Sequence, residues 1–104
     1  MEEGERLAAV LGSKPILFMK NHGVVAVGNT VAQAHRCLYK LERACRTQVL
    51  AMSTGQPLQV LDANAMARVR TPSANDRHSR EERERRYFEA MMRIVDRKLP
   101  AYAD

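Results

Sequence analysis

The sequence lacks the features that mark several common classes of protein. It has no tryptophan, and aromatic residues make up only 5% of its 104 positions. No apolar run approaches the roughly 20 residues that a membrane-spanning helix needs. The N-terminal segment is acidic and lacks the basic start and apolar centre of a signal peptide. We therefore expect a cytoplasmic protein that does not associate with membranes.

Cysteine is also scarce. Cys37 and Cys45 lie eight positions apart within one predicted helix, or roughly 12 Å along its axis at 1.5 Å per residue. This separation exceeds the Cα distance of a disulfide. We expect two free thiols in the helix core, as suits a reducing cytoplasm, and no metal or redox role without a Cys-x-x-Cys motif.

The charge balance is basic, with 17 Lys and Arg against 12 Asp and Glu, which gives a formal net charge of +5. Basic and acidic residues are interleaved, and no aromatic platform accompanies them, so we do not expect a nucleic-acid binder. A small basic module that binds anionic polymers through the arginines of residues 77–97 is a minor alternative. Such binding would depend strongly on salt.

The centre of the predicted fold is a β-hairpin over residues 15–28. Two short apolar segments flank the turn Asn21-His22-Gly23. Asn and Gly tolerate the positive φ that a tight turn requires, so the pattern predicts two antiparallel strands. Both segments are almost continuously apolar, which predicts cover on both faces of the hairpin. Because an isolated hairpin is marginal in water, other elements or other chains must complete the sheet.

The longest predicted helix covers residues 31–53. Thr30 and Gln33 match a capping box, in which Gln33 reaches back to the amide of the capping residue. Gly55 and Pro57 predict the end of the helix. Apolar residues at spacings of three and four predict a buried face made of Val31, Ala34, Leu38, Leu41, Cys45, Val49 and Met52.

Shorter helices are predicted before and after this element. Residues 2–11 form an amphipathic helix, and Asp62 is expected to cap a short helix over residues 63–69. The polar segment 71–78 contains Pro72 and predicts a loop.

A C-terminal helix is predicted over residues 79–99, where Ser79 and Glu82 match a second capping box. Its first turns, residues 81–86, are expected to form a solvated face with ion pairs four residues apart. The predicted apolar stripe consists of Tyr87, Phe88, Met91, Ile94, Val95 and Leu99.

One string of residues resembles a known family. An apolar strand is followed by Asn-His-Gly, a second apolar strand, a Gly, a Thr and a capped helix with Leu-Glu-Arg-Ala and a Gln. These residues are Asn21, His22, Gly23, Gly28, Thr30, Leu41, Glu42, Arg43, Ala44 and Gln48. The string resembles the C-terminal half of the class II aldolase/adducin family. The resemblance covers most of residues 4–55 and, more weakly, the end of the chain.

The resemblance implies a partial α/β/α domain, of fold class α/β, with a mostly antiparallel sheet and assembly into a homo-oligomer, usually a tetramer. Enzymes of the family bind a divalent metal, usually zinc, through three histidines. They cleave or decarboxylate small carbohydrate-like or hydroxy-acid substrates through a metal-stabilised enediolate or carbanion. The histidine of their Asn-His-Gly motif is a metal ligand, and it corresponds to His22.

Other functional residues of the family have no counterpart in this chain. Two further ligands come from a His-x-His pair ahead of the hairpin, and the acid/base glutamate comes earlier still. The chain contains only His22, His35 and His78, and the context of Glu2 and Glu3 does not match that glutamate. His35 is expected at a helix flank or interface, and His78 in a loop. We therefore assign His22 as the metal ligand and no residue as catalytic.

Two functions follow from this pattern. The chain is interpreted as the C-terminal part of a metal-dependent lyase that is inactive alone and is completed by an N-terminal half or by further copies. The alternative is a non-catalytic module that oligomerises or binds partners, similar to the adducin head.

Overall fold

A computed structural model describes residues 2–70 and 78–103 of the chain. The elements in chain order are helix α1 (Glu3–Leu11), strands β1 (Ile16–Met19) and β2 (Gly23–Ala26), helices α2 (Val31–Ser53), α3 (Ala63–Arg70) and α4 (Arg80–Lys98), and a 3₁₀ turn (Pro100–Ala103). This arrangement confirms the predicted partial α/β domain. In these two ranges no helix is long and apolar enough to cross a membrane.

The hairpin forms where the turn residues predict it. Strands β1 and β2 pair antiparallel, with Ile16 opposite Ala26 and Met19 opposite Gly23. Asn21 adopts a left-handed backbone conformation with φ of 63°. At the open end of the hairpin, the amide of Val27 donates to the carbonyl of Pro15 at 2.9 Å. Among the described residues, these two strands form the whole sheet.

Helix α2 has the boundaries that its capping residues predict. The Thr30 hydroxyl accepts a hydrogen bond from the Gln33 amide at 3.1 Å. The other half of this capping box was predicted wrongly, because Gln33 accepts from the amide of Asn29 at 2.6 Å and not from that of the capping residue Thr30. At the other end Gly55 has φ of 69°, and its amide donates to the carbonyl of Met52.

The shorter helices also begin at the predicted residues. The Asp62 carboxylate accepts from the Ala65 amide at 2.7 Å at the start of α3. The Ser79 hydroxyl accepts from the Glu82 amide at 3.1 Å at the start of α4. The other half of this capping box was predicted wrongly, because the Glu82 carboxylate pairs with His78 and Arg86, each at 3.1 Å. The predicted loop lies outside the described residues except for His78.

Helix α2 packs against β2 and α4, and α1 packs against β1. Between α2 and α4, the His35 ring lies 5.8 Å from the Tyr87 ring and 5.7 Å from the Phe88 ring. Tyr39 extends this cluster, with its ring 5.5 Å from that of Tyr87. His35 is therefore an interface residue, as expected.

The predicted burial of the α2 stripe holds at only a few positions, and Val31 at its beginning is 73% exposed. Ala34, Cys37 and Leu41 are half-buried, whereas Val49 is 65% exposed and Met52 is 60% exposed. Cys45 is exposed too, so its assignment to the helix core was wrong, although both thiols are free as predicted. The physical reason is that the described elements leave this part of α2 uncovered, since residues 42–50 are all exposed.

The charged start of α4 contains both predicted and unexpected features. Ion pairs four residues apart join Arg80 to Glu84 at 3.0 Å and Arg85 to Glu89 at 2.6 Å, as predicted. Glu84 does not lie on a solvated face, however, because it is only 8% exposed and is the one buried residue of the described chain. It precedes Tyr87 by three positions and so shares the helix face that packs on α2.

The Tyr87 hydroxyl supports a stability prediction. It is covered from solvent and has no hydrogen-bond partner among the described residues. Burial, and then the neighbouring Tyr39, raise the pKa of Tyr87, while Arg36 and Arg43 lower it. Because the folded state favours the neutral phenol, its contribution to stability is complete below the unfolded pKa of about 10 and is lost as pH rises above it.

Tyr87→Phe is expected to raise the free energy of unfolding by about 1 kcal/mol, because it removes an unsatisfied buried hydroxyl. It should also reduce the loss of stability above pH 10. Urea unfolding followed by circular dichroism at neutral and alkaline pH measures both effects. Tyr39→Phe is the control: it removes only the smaller of the two causes that raise the pKa of Tyr87, so most of the alkaline loss should remain. A Tyr87→Phe variant with the same alkaline loss as the unsubstituted chain would contradict the prediction.

Candidate metal centre

His22 lies at the tip of the hairpin, between two residues with positive φ. Asn21 has φ of 63° and Gly23 has φ of 119°. The latter value strains any residue with a side chain, so the glycine allows the turn to close. The amide of His22 donates to the carbonyl of Met19 at 3.3 Å, which fixes its backbone. The turn therefore holds an exposed imidazole at the end of the two strands.

The imidazole faces a cleft of about 410 Å³ between α1 and the hairpin. Leu7, Val10 and Leu17 contribute apolar surface to this cleft. Its charged side chains are Glu3, Arg6 and Lys20, of which Glu3 and Arg6 pair with each other at 3.3 Å. Within the described chain the imidazole of His22 has no hydrogen-bond or ion-pair partner, so a ligand can approach either ring nitrogen.

These properties suit one ligand of a zinc site but do not complete such a site. A neutral imidazole on a fixed turn is a typical zinc ligand. In the two described ranges, however, no group of three His, Cys, Asp or Glu side chains is placed to hold a metal ion. His35 packs between α2 and α4, and His78 pairs with Glu82 at the start of α4. Neither of them joins His22, so the described residues do not complete a three-ligand site.

A second cleft, which the sequence interpretation did not identify, lies between α2 and α4 and has a volume of about 420 Å³. Its charged side chains are Arg36 and Lys40 of α2 and Arg80, Arg83 and Glu84 of α4. Their spacing of three and four places the charges of each helix on one face. That spacing is visible in the sequence, but the pairing of α2 with α4 is not.

Comparisons with a family model and with known proteins indicate the same family. Residues 1–49 match the family model described as Class II Aldolase and Adducin N-terminal domain. A protein of Caulobacter vibrioides whose name places it in aldolase class 2 is 46% identical over 56 residues, or 54% of this chain and 22% of that protein. Another protein with this type of name, from Pseudomonas aeruginosa, is 31% identical over 102 residues, or 97% of this chain and 39% of that protein.

The third relative is the decarboxylase NovR of Streptomyces niveus. It is 34% identical over 59 residues, which are 57% of this chain and 22% of NovR. The chain thus spans between 22% and 39% of the length of these curated relatives. No solved structure matches it.

Proposed function

This chain belongs to the class II aldolase/adducin family, and we propose that it is the C-terminal part of a metal-dependent lyase of that family. In this proposal His22 provides one of three metal ligands. The reaction is aldol cleavage or decarboxylation of a small carbohydrate-like or hydroxy-acid substrate. The chain is inactive until the remaining ligands and the acid/base group are supplied.

The observation that carries the proposal is the position of His22. Its backbone is fixed by the hydrogen bond to Met19, and its side chain lies exposed beside a cleft without a partner in the described residues. This combination suits a metal ligand, because a fixed backbone reduces the freedom lost on binding and an unpaired nitrogen needs no other bond broken. When zinc is bound, it supplies a Lewis acid that stabilises negative charge developing on a substrate oxygen.

The surface of the chain supports completion by another segment. The sheet has two strands, and both outer edges are open within the described chain. In the second half of α2 and beyond it, Val49, Leu50, Val60 and Leu61 each expose more than half of their surface. Exposed edges and exposed large apolar side chains are typical of a surface that another element covers. We propose that the rest of the domain, or further copies in a homo-oligomer, cover this surface.

The non-catalytic alternative has one observation in its favour, which is that no three-ligand group forms within the described residues. This alternative expects a stable oligomer that unfolds cooperatively without metal. The lyase proposal instead expects that stability and zinc binding both depend on a second segment.

The coding DNA immediately upstream of Met1 distinguishes the two functions. The lyase proposal expects an in-frame or adjacent stretch that encodes a glutamate followed by a His-x-His pair. A stop codon with no such stretch nearby would leave His22 without further ligands. That result would overturn the lyase proposal and favour the non-catalytic module.

A further inference from the structure

We propose that the cleft between α2 and α4 binds a small organic phosphate. This α2–α4 cleft is separate from the one beside His22, because the two share no lining residue. The inference therefore does not depend on the proposed lyase function.

The first observation is the charge of the cleft. Arg36 and Lys40 are one turn apart on α2, and Arg80 and Arg83 are nearly one turn apart on α4. Glu84 is the one carboxylate in the lining, and it pairs with Arg80 at 3.0 Å. Neither Arg36 nor Lys40 pairs with a carboxylate of the described chain, so these two residues give the cleft an excess of positive charge. Like charges one turn apart disfavour a helix, so a multivalent anion in the cleft would relieve the repulsion between Arg36 and Lys40 on α2.

The second observation is that the guanidinium of Arg36 is held in place. The Nη1 of Arg36 donates to the carbonyl of Arg83 at 2.9 Å, and its guanidinium lies 5.5 Å from the centre of the Tyr87 ring. This bond uses one of the five N–H groups of the guanidinium. A positioned guanidinium matches the geometry of a phosphate group. Lys40 has no ion-pair partner in the described chain and adds a mobile positive charge beside it.

The third observation is the apolar part of the lining. Ile16 of β1 and Leu41 and Ala44 of α2 line the same cleft. A volume of about 420 Å³ exceeds the needs of inorganic phosphate and lies within the range of small-molecule sites. An organic phosphate suits both the charged and the apolar parts of the lining. Its anionic group would contact the cationic side chains, and its carbon skeleton would contact the apolar ones.

The two cysteines provide a direct test on the full 104-residue chain. Cys37 lines the cleft, whereas Cys45 is exposed and lies outside its lining. Labelling by N-ethylmaleimide, followed by mass spectrometry, measures the labelling rates of Cys37 and Cys45 in one sample. Phenyl phosphate is the probe, phenol is the uncharged control, and sodium chloride matches the ionic strength.

Phenyl phosphate at about four times its Kd should slow labelling of Cys37 about fivefold, because protection follows 1 + [L]/Kd, and should leave Cys45 unchanged. Inorganic phosphate should protect more weakly at the same concentration, and phenol should not protect. Equal slowing at both cysteines, equal protection by phenol or sodium chloride, or no protection at all would overturn the proposal.

Charge substitutions provide a second test, because different substitutions should change the protection of Cys37 in opposite directions. Lys40→Met should weaken protection of Cys37, and Lys98→Met, which removes the same charge near the end of α4, should not. Glu84→Gln should strengthen protection because it removes the carboxylate that competes for the arginines. An unfolded variant cannot show stronger protection, so this result also excludes misfolding as the cause. Equal protection in Lys40→Met and Lys98→Met would contradict the assigned site.

Discussion

His22→Ala is expected to lower the zinc affinity of the completed protein by at least about 100-fold. The completed protein is this chain combined with the segment that carries the other family histidines. Removing residues that merely support metal ligands already costs 10- to 100-fold in affinity, so loss of a ligand should cost more. The imidazole of His22 is exposed at a fixed turn, and its replacement breaks no side-chain hydrogen bond or ion pair in the described chain. Competition with a chromophoric chelator measures the affinity.

His78→Ala is the matched control for this experiment. It also removes an imidazole from the surface, but His78 pairs with Glu82 at the start of α4 and does not lie in the cleft beside His22. The zinc affinity of the His78→Ala variant should equal that of the unsubstituted protein. A His22→Ala variant that binds zinc as tightly as the His78→Ala variant would contradict the assignment of His22.

Gly28→Ala is expected to reduce the free energy of unfolding by about 1–3 kcal/mol, the usual cost of forcing extra volume into a packed site. A Cβ at position 28 would lie 2.9 Å from the amide nitrogen of Ala34 and 3.0 Å from the Cβ and Cγ of Gln33. The contact with Ala34 involves helix backbone, which cannot rotate away as a side chain can. The first turn of α2 must therefore move relative to β2, which disturbs the capping bond between Gln33 and Asn29.

Gly4→Ala is the control for Gly28→Ala. Position 4 lies in α1, and a Cβ there would meet nothing within 4 Å. This substitution should stabilise the helix by up to about 1 kcal/mol, since alanine favours a helix over glycine. Urea unfolding followed by circular dichroism measures both variants. A Gly28→Ala variant as stable as the Gly4→Ala variant would contradict the claim that α2 lies too close to residue 28 for a side chain there.

The elements that the sequence predicts well are those fixed by local interactions. The turn residues Asn21 and Gly23 specify the hairpin, and the bond between Thr30 and Gln33 specifies the start of α2. Each of these signals spans only a few residues, so no knowledge of distant contacts is needed. The start of α3 at Asp62 was predicted in the same way.

Burial could not be predicted equally well, because it depends on what covers a face. The α2 stripe correctly identified an apolar face, yet Cys45 and Val49 on that face are exposed. Glu84 shows the opposite case, since it lies in a charged segment and is buried where α4 packs on α2. Periodicity identifies a face that favours burial but cannot identify its partner.

The candidate sites could also be predicted from the sequence only where neighbouring residues determine them. The turn at His22 follows from neighbouring residues, but the interpretation of this histidine as a metal ligand came from the family resemblance. The α2–α4 cleft required a contact between Arg36 and Arg83, which are 47 positions apart in the chain. Such a contact arises from packing of the two helices, and the spacing within either helix does not predict it.

Zinc titration of this chain, alone and mixed with the segment that carries the His-x-His pair, tests the central claim most directly. Because His22 alone provides one ligand and a zinc site in a protein needs three or more, the chain alone should bind zinc only weakly. The mixture should bind about one zinc per pair of segments, since three histidines then meet at one site. Zinc binding of equal strength with and without the added segment would contradict the account, as would a mixture that binds no zinc.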